Sequence, residues 1–165
     1  MEEKNRRLCW KNIEAIDPVA ALGEYSFMPP THVIFDTNCL LCSGLVKFIL
    51  RHERRDDIIF VNAWSDTGLE MAKSHGLTHE DLNQTFLVIR SERGFIKSDA
   101  ALEIFRSLKM PWRAMRILRF VPRPLRDLVY TVIAKHRYEW FGYEPSCTVV
   151  PPEQSYRFIK VDSDK

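Results

Sequence analysis

Apolar and polar positions along the chain alternate in two rhythms. Val33-Ile34-Phe35, Ile58-Ile59-Phe60-Val61 and Thr85 to Arg90 are short runs rich in β-branched and aromatic residues, and they read as buried strands. Between the first two the apolar spacing lengthens. Leu41, Leu45, Phe48 and Ile49 fall on one side of a 3.6-residue repeat, and Ser43, Lys47, Arg51 and Arg54 on the other, which predicts an amphipathic helix. Two such strands joined by a helix form a βαβ unit with a parallel pair. Ser65 can cap a second helix running to about His75, with Gly76 as its stop. Ser91 to Gly94 has hairpin-turn composition, and Phe95 to Lys97 returns as an edge strand. Ser98 then caps a helix to about Lys109 that turns Ala101, Leu102, Phe105 and Leu108 inward. The order is βαβαββα.

The flanks read differently. Residues 1–30 form an N-terminal extension with a poorly defined apolar repeat (Trp10, Ile13, Ile16, Val19) broken at Pro18; a partner-docking arm is the functional alternative. Pro29-Pro30 punctuates the chain before the first strand. Trp112 to Val121 reads as helical, with Arg113, Arg116 and Arg119 recurring every three residues, and Pro122 and Pro124 break the run. A last helix covers Leu125 to about Trp140. Its row of Leu125, Leu128, Val129, Val132, Ile133 and His136 is expected to face the core, and Gly142 to cap its end. The expected division is an extension at 1–30, a core at 31–110, a helical segment packed on it at 111–150, and a polar, frayed tail at 151–165.

The chemistry sits where the first strand becomes a helix. Asp36-Thr37-Asn38 is a polar turn, and Cys39 and Cys42 bracket Leu40 and Leu41. A helix's first turn has unpaired N–H groups and a partial positive charge, so it favours thiolate over thiol. Cys42 lies one turn along the same face, close enough to resolve a mixed disulfide formed by Cys39. Asp36 has two possible roles: relaying a proton to or from Cys42, or capping the turn by accepting backbone N–H bonds. An anionic Asp36 raises the pKa of Cys39, and Leu40 and Leu41 supply no cation. These effects predict a modestly lowered pKa and a reductant-like pair. Rival readings are a zinc half-site and two inert buried thiols. Zinc needs four ligands, and beyond this pair only Cys9, Cys147 and five scattered histidines remain, with His75 and His79 in polar, surface-like context.

D-T-N-C-L-L-C at 36–42 resembles the D-G-x-C-x-x-C signature of the DCC family of thiol-disulfide oxidoreductases, named for the aspartate and two cysteines that stand here as Asp36, Cys39 and Cys42. S-D-A-A-L-E-I-F at 98–105, V-P-R-P-L-R-D-L-V-Y at 121–130 and H-R-Y-E-W-F-G at 136–142 resemble later segments of that family, as does a late cysteine, Cys147. The resemblance covers about residues 32–150. It implies an α/β, thioredoxin-like fold, with the N-terminal extension and the C-terminal helices as additions. It also implies disulfide exchange, with Asp36, Cys39 and Cys42 as the catalytic residues. Thr37 departs from the family's glycine, which predicts a different turn. Thioredoxins also place a cis-proline before the third strand; the matching position here is about Gln84, and no proline occurs between Pro30 and Pro111. That predicts looser backbone pairing beside Cys39 and weak activity on generic protein disulfides.

Composition narrows the rest. A chain of 165 residues with 45% hydrophobic and 28% charged content suits one globular domain. No signal-like region is read at the charged start and no run is long enough to span a bilayer, so a reducing cytoplasm is the expected setting. The net charge of +2 hides an asymmetry: residues 106–137 carry nine lysines and arginines against one acid, Asp127. The leading reading is a two-cysteine enzyme acting on protein or small-molecule disulfides with a thiol electron donor, and with no organic cofactor or metal. Anionic surface contact through Arg113, Arg116 and Arg119 is an added expectation; nucleic acid is not expected. Cys147 is either a second resolving thiol or an unpaired cysteine in the tail. The alternative from another class is a non-catalytic thioredoxin-like adaptor that docks a partner or anionic surface through its basic C-terminal helices.

Overall fold

A computed structural model describes residues 8–9, 29–143, 149–150 and 152–159. In chain order the elements are β1 (Leu8–Cys9), β2 (Thr31–Phe35), α1 (Leu40–His52), β3 (Ile58–Asn62), α2 (Asp66–Ser74), α3 (His79–Leu82), β4 (Leu87–Arg90), β5 (Arg93–Ile96) and α4 (Lys97–Ser107). A 3-10 segment (Trp112–Phe120) and α5 (Arg123–Phe141) follow, then β6 (Val149–Val150), a second 3-10 turn (Pro152–Arg157) and β7 (Phe158–Ile159). Five strands form a mixed sheet in the order β5-β4-β2-β3-β7, and β1 pairs with β6 separately. β2 and β3 run parallel through the crossover helix α1; β4 is antiparallel to β2 and to β5. The fold is α/β and thioredoxin-like.

Strand periodicity builds the two sides of the core. Successive strand residues point to opposite faces. Val33, Phe35, Ile58, Phe60 and Val88 meet Val46 and Ile49 of α1 and Ala100 and Ile104 of α4 on one face. Ile34, Ile59, Val61, Leu87 and Ile89 meet Ala72 and Leu82 on the other. Each fully buried aliphatic side chain stabilises by about 1.5–3 kcal/mol relative to exposure, so truncating Ile49 to alanine should cost about 2–5 kcal/mol.

Several expectations are corrected. The buried face of α1 is Ser43, Val46 and Ile49, with Cys42, Leu45 and Phe48 flanking it, so Ser43 packs inward rather than outward. The hairpin turn is only two residues, Ser91 and Glu92, both at positive φ (48° and 65°), as the twist of a two-residue loop demands. Gly94 therefore lies within β5, where an added Cβ would come 2.7 Å from the His75 ring. Ser98 is not the cap of α4, which follows Ile96. Ser98 lies inside the first turn and donates its hydroxyl to Asp127 of α5. Phe158 is buried and β7 pairs with β3, so the expected fraying does not hold for residues 152–159.

The largest correction concerns α5. Leu125, Leu128, Val129 and Val132 are exposed, Leu128 by 61%. The polar row Arg126, Asp127, Tyr130, Thr131 and Arg137 is the one turned inward. Arg126 pairs with Asp99 at 3.0 Å, and Tyr130 receives the Phe86 N–H at 3.3 Å. The helix is amphipathic with the usual direction reversed, because these inward positions are filled by hydrogen-bonded and paired groups. The segment expected as a helix at 112–121 is a 3-10 helix instead. At three residues per turn, Arg113, Arg116 and Arg119 align in one column.

Candidate active site

β2 delivers the chain to the turn at Asp36. The Asp36 Oδ1 accepts the Asn38 N–H at 2.9 Å, a local closure that short carboxylates make with their own backbone. Thr37 stands where the resemblance expects glycine, yet it is not among the residues at positive φ, so this turn does not require glycine there. Cys39 is the residue that caps α1, with extended backbone (φ −90°, ψ 119°), and its carbonyl accepts the Ser43 N–H at 2.9 Å. α1 has no acid in its first turn and no side-chain cap. Its N-terminal N–H groups are thus left to serve the thiol.

The Cys39 sulfur accepts from both the S–H and the N–H of Cys42, and this holds its pKa at about 6, well below the ordinary 9.0. Burial opposes the shift, the Arg137 charge adds to it, and Asp36 works weakly against it. The same thiol–thiol bond, with burial, pushes Cys42 well above the ordinary thiol range. The expected modest lowering is therefore too small. The missing cation comes from Arg137, on a helix far along the chain.

Asp36 is the joint between that helix and the cysteine turn. It is buried and takes four donors. Asn38 N–H and the Trp64 indole N–H (2.9 Å) reach Oδ1; Arg137 Nη2 (3.2 Å) and the Tyr138 hydroxyl reach Oδ2. Arg137 Nη2 also donates to the Tyr138 oxygen at 2.8 Å. Burial, with the Asp36 bond, pushes Tyr138 up to about 12, so it remains a phenol donor near neutral pH. Of the two roles open to Asp36, the turn-closing bond is present. Arg137, Tyr138 and Trp64 were missed from the residue pattern alone. The signal for the first two was the H-R-Y-E-W-F-G stretch.

The end of α5 and the return after it lie against Cys39. Cys39 has 0% exposure, while Cys42 is half-buried. The Cys39 backbone pairs antiparallel with Tyr143. Gly142 makes that return possible: it sits at φ +93°, and a Cβ there would lie 3.2 Å from Leu40 Cδ1. Near Gln84, where thioredoxins carry proline, Thr85 and Phe86 instead bond to Tyr130. A cleft of about 110 Å³ on the Tyr138 side is lined by Gln84, Lys97, Thr131 and Lys135. His79 lies tilted against Trp64 (4.7 Å between ring centres), and His75 Nδ1 faces the Met71 carbonyl at 2.9 Å, so neither joins the thiols. Cys147 lies outside the described residues.

The description "DCC1-like thiol-disulfide oxidoreductase" matches residues 33–143, from the middle of β2 to the residue paired with Cys39. The chain belongs to this family. It is 38% identical over 132 residues to the uncharacterized protein YuxK of Bacillus subtilis (strain 168), covering 80% of this chain and 96% of that protein. It is 34% identical over 116 residues to the chloroplastic DCC family protein At1g52590 of Arabidopsis thaliana, covering 70% of this chain and 67% of that one. No solved structure matches. The DCC1-like match ends with the Gly142–Tyr143 return, so it includes α5 and the residues that hold Asp36.

Proposed function

We propose that this chain is a two-cysteine thiol-disulfide oxidoreductase in which Cys39 is the nucleophile, Cys42 the resolving thiol, and Asp36 a positioning residue. The observation that carries this reading is the placement of both thiols at the start of α1, Cys39 as its cap and Cys42 in its first turn, with the Asp36–Arg137 pair beside them; Cys39 is thereby lowered to about 6 and Cys42 raised. Near neutral pH the first is a thiolate and the second a proton-bearing thiol. Cys39 S⁻ attacks a substrate disulfide RS–SR′, forming Cys39–S–SR and expelling R′S⁻, which takes a proton from water. Cys42 then attacks the Cys39 sulfur, closing the Cys39–Cys42 disulfide, and its proton passes to the departing sulfur, which leaves as RSH. Two electrons pass to the substrate, and a thiol donor returns them. Asp36 is committed to four donors, so its part is to hold Arg137 beside the sulfurs rather than to carry protons.

The Tyr143 pairing argues for small disulfides or a narrow set of proteins. Cys39 is fully buried, so any disulfide must shift its cover to reach the sulfur, and a polypeptide substrate must also displace Tyr143 to pair with the backbone of Cys39. The test is equilibration in glutathione buffers of graded potential, read by alkylation and peptide mass mapping. A reversible Cys39–Cys42 disulfide with one defined potential is expected. A pair that stays reduced in oxidising buffer, or Cys39 linked only to Cys147, would sink the two-cysteine mechanism.

The reversed face of α5 favours a second reading, an adaptor that rests on an anionic membrane surface. Leu125, Leu128 and Val132 are exposed, and Phe120 is 89% exposed. Among the described residues no helix is long and apolar enough to cross a membrane, so contact would be with the surface. Sedimentation with vesicles rich in anionic lipid, retained by a Cys39→Ser/Cys42→Ser variant and lost in Arg116→Glu/Arg119→Glu, would favour it. No sedimentation would remove it.

A further inference from the structure

The sheet has a second concave site at the end opposite the cysteines. A cavity of about 650 Å³ opens where β2 begins, β4 ends and β5 starts, closed at the sides by the C-terminal ends of α1 and α4. Its walls carry six guanidinium groups, from Arg54, Arg55, Arg90, Arg93, Arg106 and Arg113, against two carboxylates, Asp57 and Glu103. The five residues of β2 separate it from the thiols by about 15 Å at the usual rise per residue.

Part of this cluster is built in. Arg90 donates to Thr31 Oγ1 at 2.9 Å and to the Ser107 hydroxyl, and it shares Glu103 with Arg106, each at 3.5 Å. Glu103 is thereby used twice. Arg54, Arg93 and Arg113 are exposed and make no ion pair among the described residues. Positive groups also gather at helix C-termini to meet unpaired carbonyls, but several of these are already served. The Ile49, His52 and Ser107 carbonyls accept the backbone N–H groups of Glu53, Lys109 and Arg54 at 2.7–2.9 Å. Those carbonyls need no guanidinium partner.

We infer that this cavity is a binding site for a phosphorylated small molecule of about nucleotide size, its phosphates against Arg54, Arg93 and Arg113. Planar guanidinium forks match phosphate oxygens two at a time. The excess of four positive charges on the walls suits a di- or triphosphate, whose binding relieves their mutual repulsion. The volume falls among ligand pockets, roughly 300–1,000 Å³, and exceeds what bare phosphate fills. Phe95 and Pro29 offer apolar wall for the remainder of the molecule.

Calorimetric titration of the full chain with ATP and with inorganic triphosphate tests the inference. Both should bind, ATP more tightly, with affinity falling as salt rises. Arg54→Glu/Arg93→Glu should weaken both by about tenfold or more while leaving the unfolding midpoint and the Cys39 titration unchanged. Arg119→Glu, outside the cavity, should bind as the parent does. Dissociation constants above the millimolar range for both probes would overturn the site. So would equal affinity in the double variant, equal loss in Arg119→Glu, or binding of an oligonucleotide with neither small probe bound.

Discussion

Two buried arginines each hold a buried carboxylate at opposite ends of the sheet. Arg157 answers Glu53 with two nitrogens on two oxygens, and gives Nε and Nη2 to the Ile58 carbonyl at 2.9 and 2.8 Å. Burial raises the Glu53 carboxyl even against this pairing, which marks the cost of placing the charge there. Arg137 reaches Asp36 through a single nitrogen, which it also shares with Tyr138, and its buried Nε has no hydrogen-bond partner. The first arginine is fully engaged and ties β7 and the C-terminal turn to the sheet. The second has charge and bonding capacity left over, and both sulfurs feel that charge. Similar chemistry thus serves architecture where every donor is used, and acts on a neighbouring thiol where one is not.

Removing each arginine separates the two roles. Arg157→Ala strands the Glu53 carboxylate and should cost near the upper end of about 3–5 kcal/mol in denaturant unfolding. The Cys39 titration of whatever remains folded should not move. Arg137→Ala should cost less, about 3 kcal/mol, because Asp36 keeps three other donors. It should, however, move the Cys39 pKa upward, and Arg137→Lys should restore part of that shift. An Arg157 variant that moved the thiol, or an Arg137 variant that did not, would erase the contrast.

The next effect is smaller. Tyr138→Phe removes one hydrogen bond to Asp36 and should cost about 1 kcal/mol with little change at Cys39. The smallest is a pH linkage. The folded Cys39 pKa lies below its unfolded value, so its thiolate stabilises the fold fully above about 9, and this is lost as pH falls through about 6. The stability advantage of the parent over Cys39→Ser should therefore grow between those limits, as read from unfolding midpoints at stepped pH.

The strands, the crossover helix and the Asp36–Cys39–Cys42 spacing were legible because each is local: strand period, helix period and a three-residue offset. The electrostatics of the site were not, since Arg137 and Asp36 lie 101 positions apart. α5 shows a second reason. Apolar residues at helical spacing predict an inward face, but Asp127, Tyr130 and Arg137 find partners on α4, just before β4 and at Asp36, and so take that place. Hydropathy registers that a face is apolar without registering that the opposite face is satisfied. The arginine cavity was hidden for a similar reason: its arginines come from four separate stretches, and of them only Arg106 and Arg113 fell within the basic segment.

The central claim is that Cys39 is a thiolate near neutral pH because Cys42 and Arg137 hold it so. The most direct test is the ultraviolet thiolate absorbance of the reduced protein followed against pH, in the parent, Cys39→Ser and Arg137→Lys. The account predicts a step near 6 in the parent, its absence in Cys39→Ser, and its displacement upward in Arg137→Lys. A parent step at or above the ordinary 9.0, or one that survives in Cys39→Ser, would contradict it.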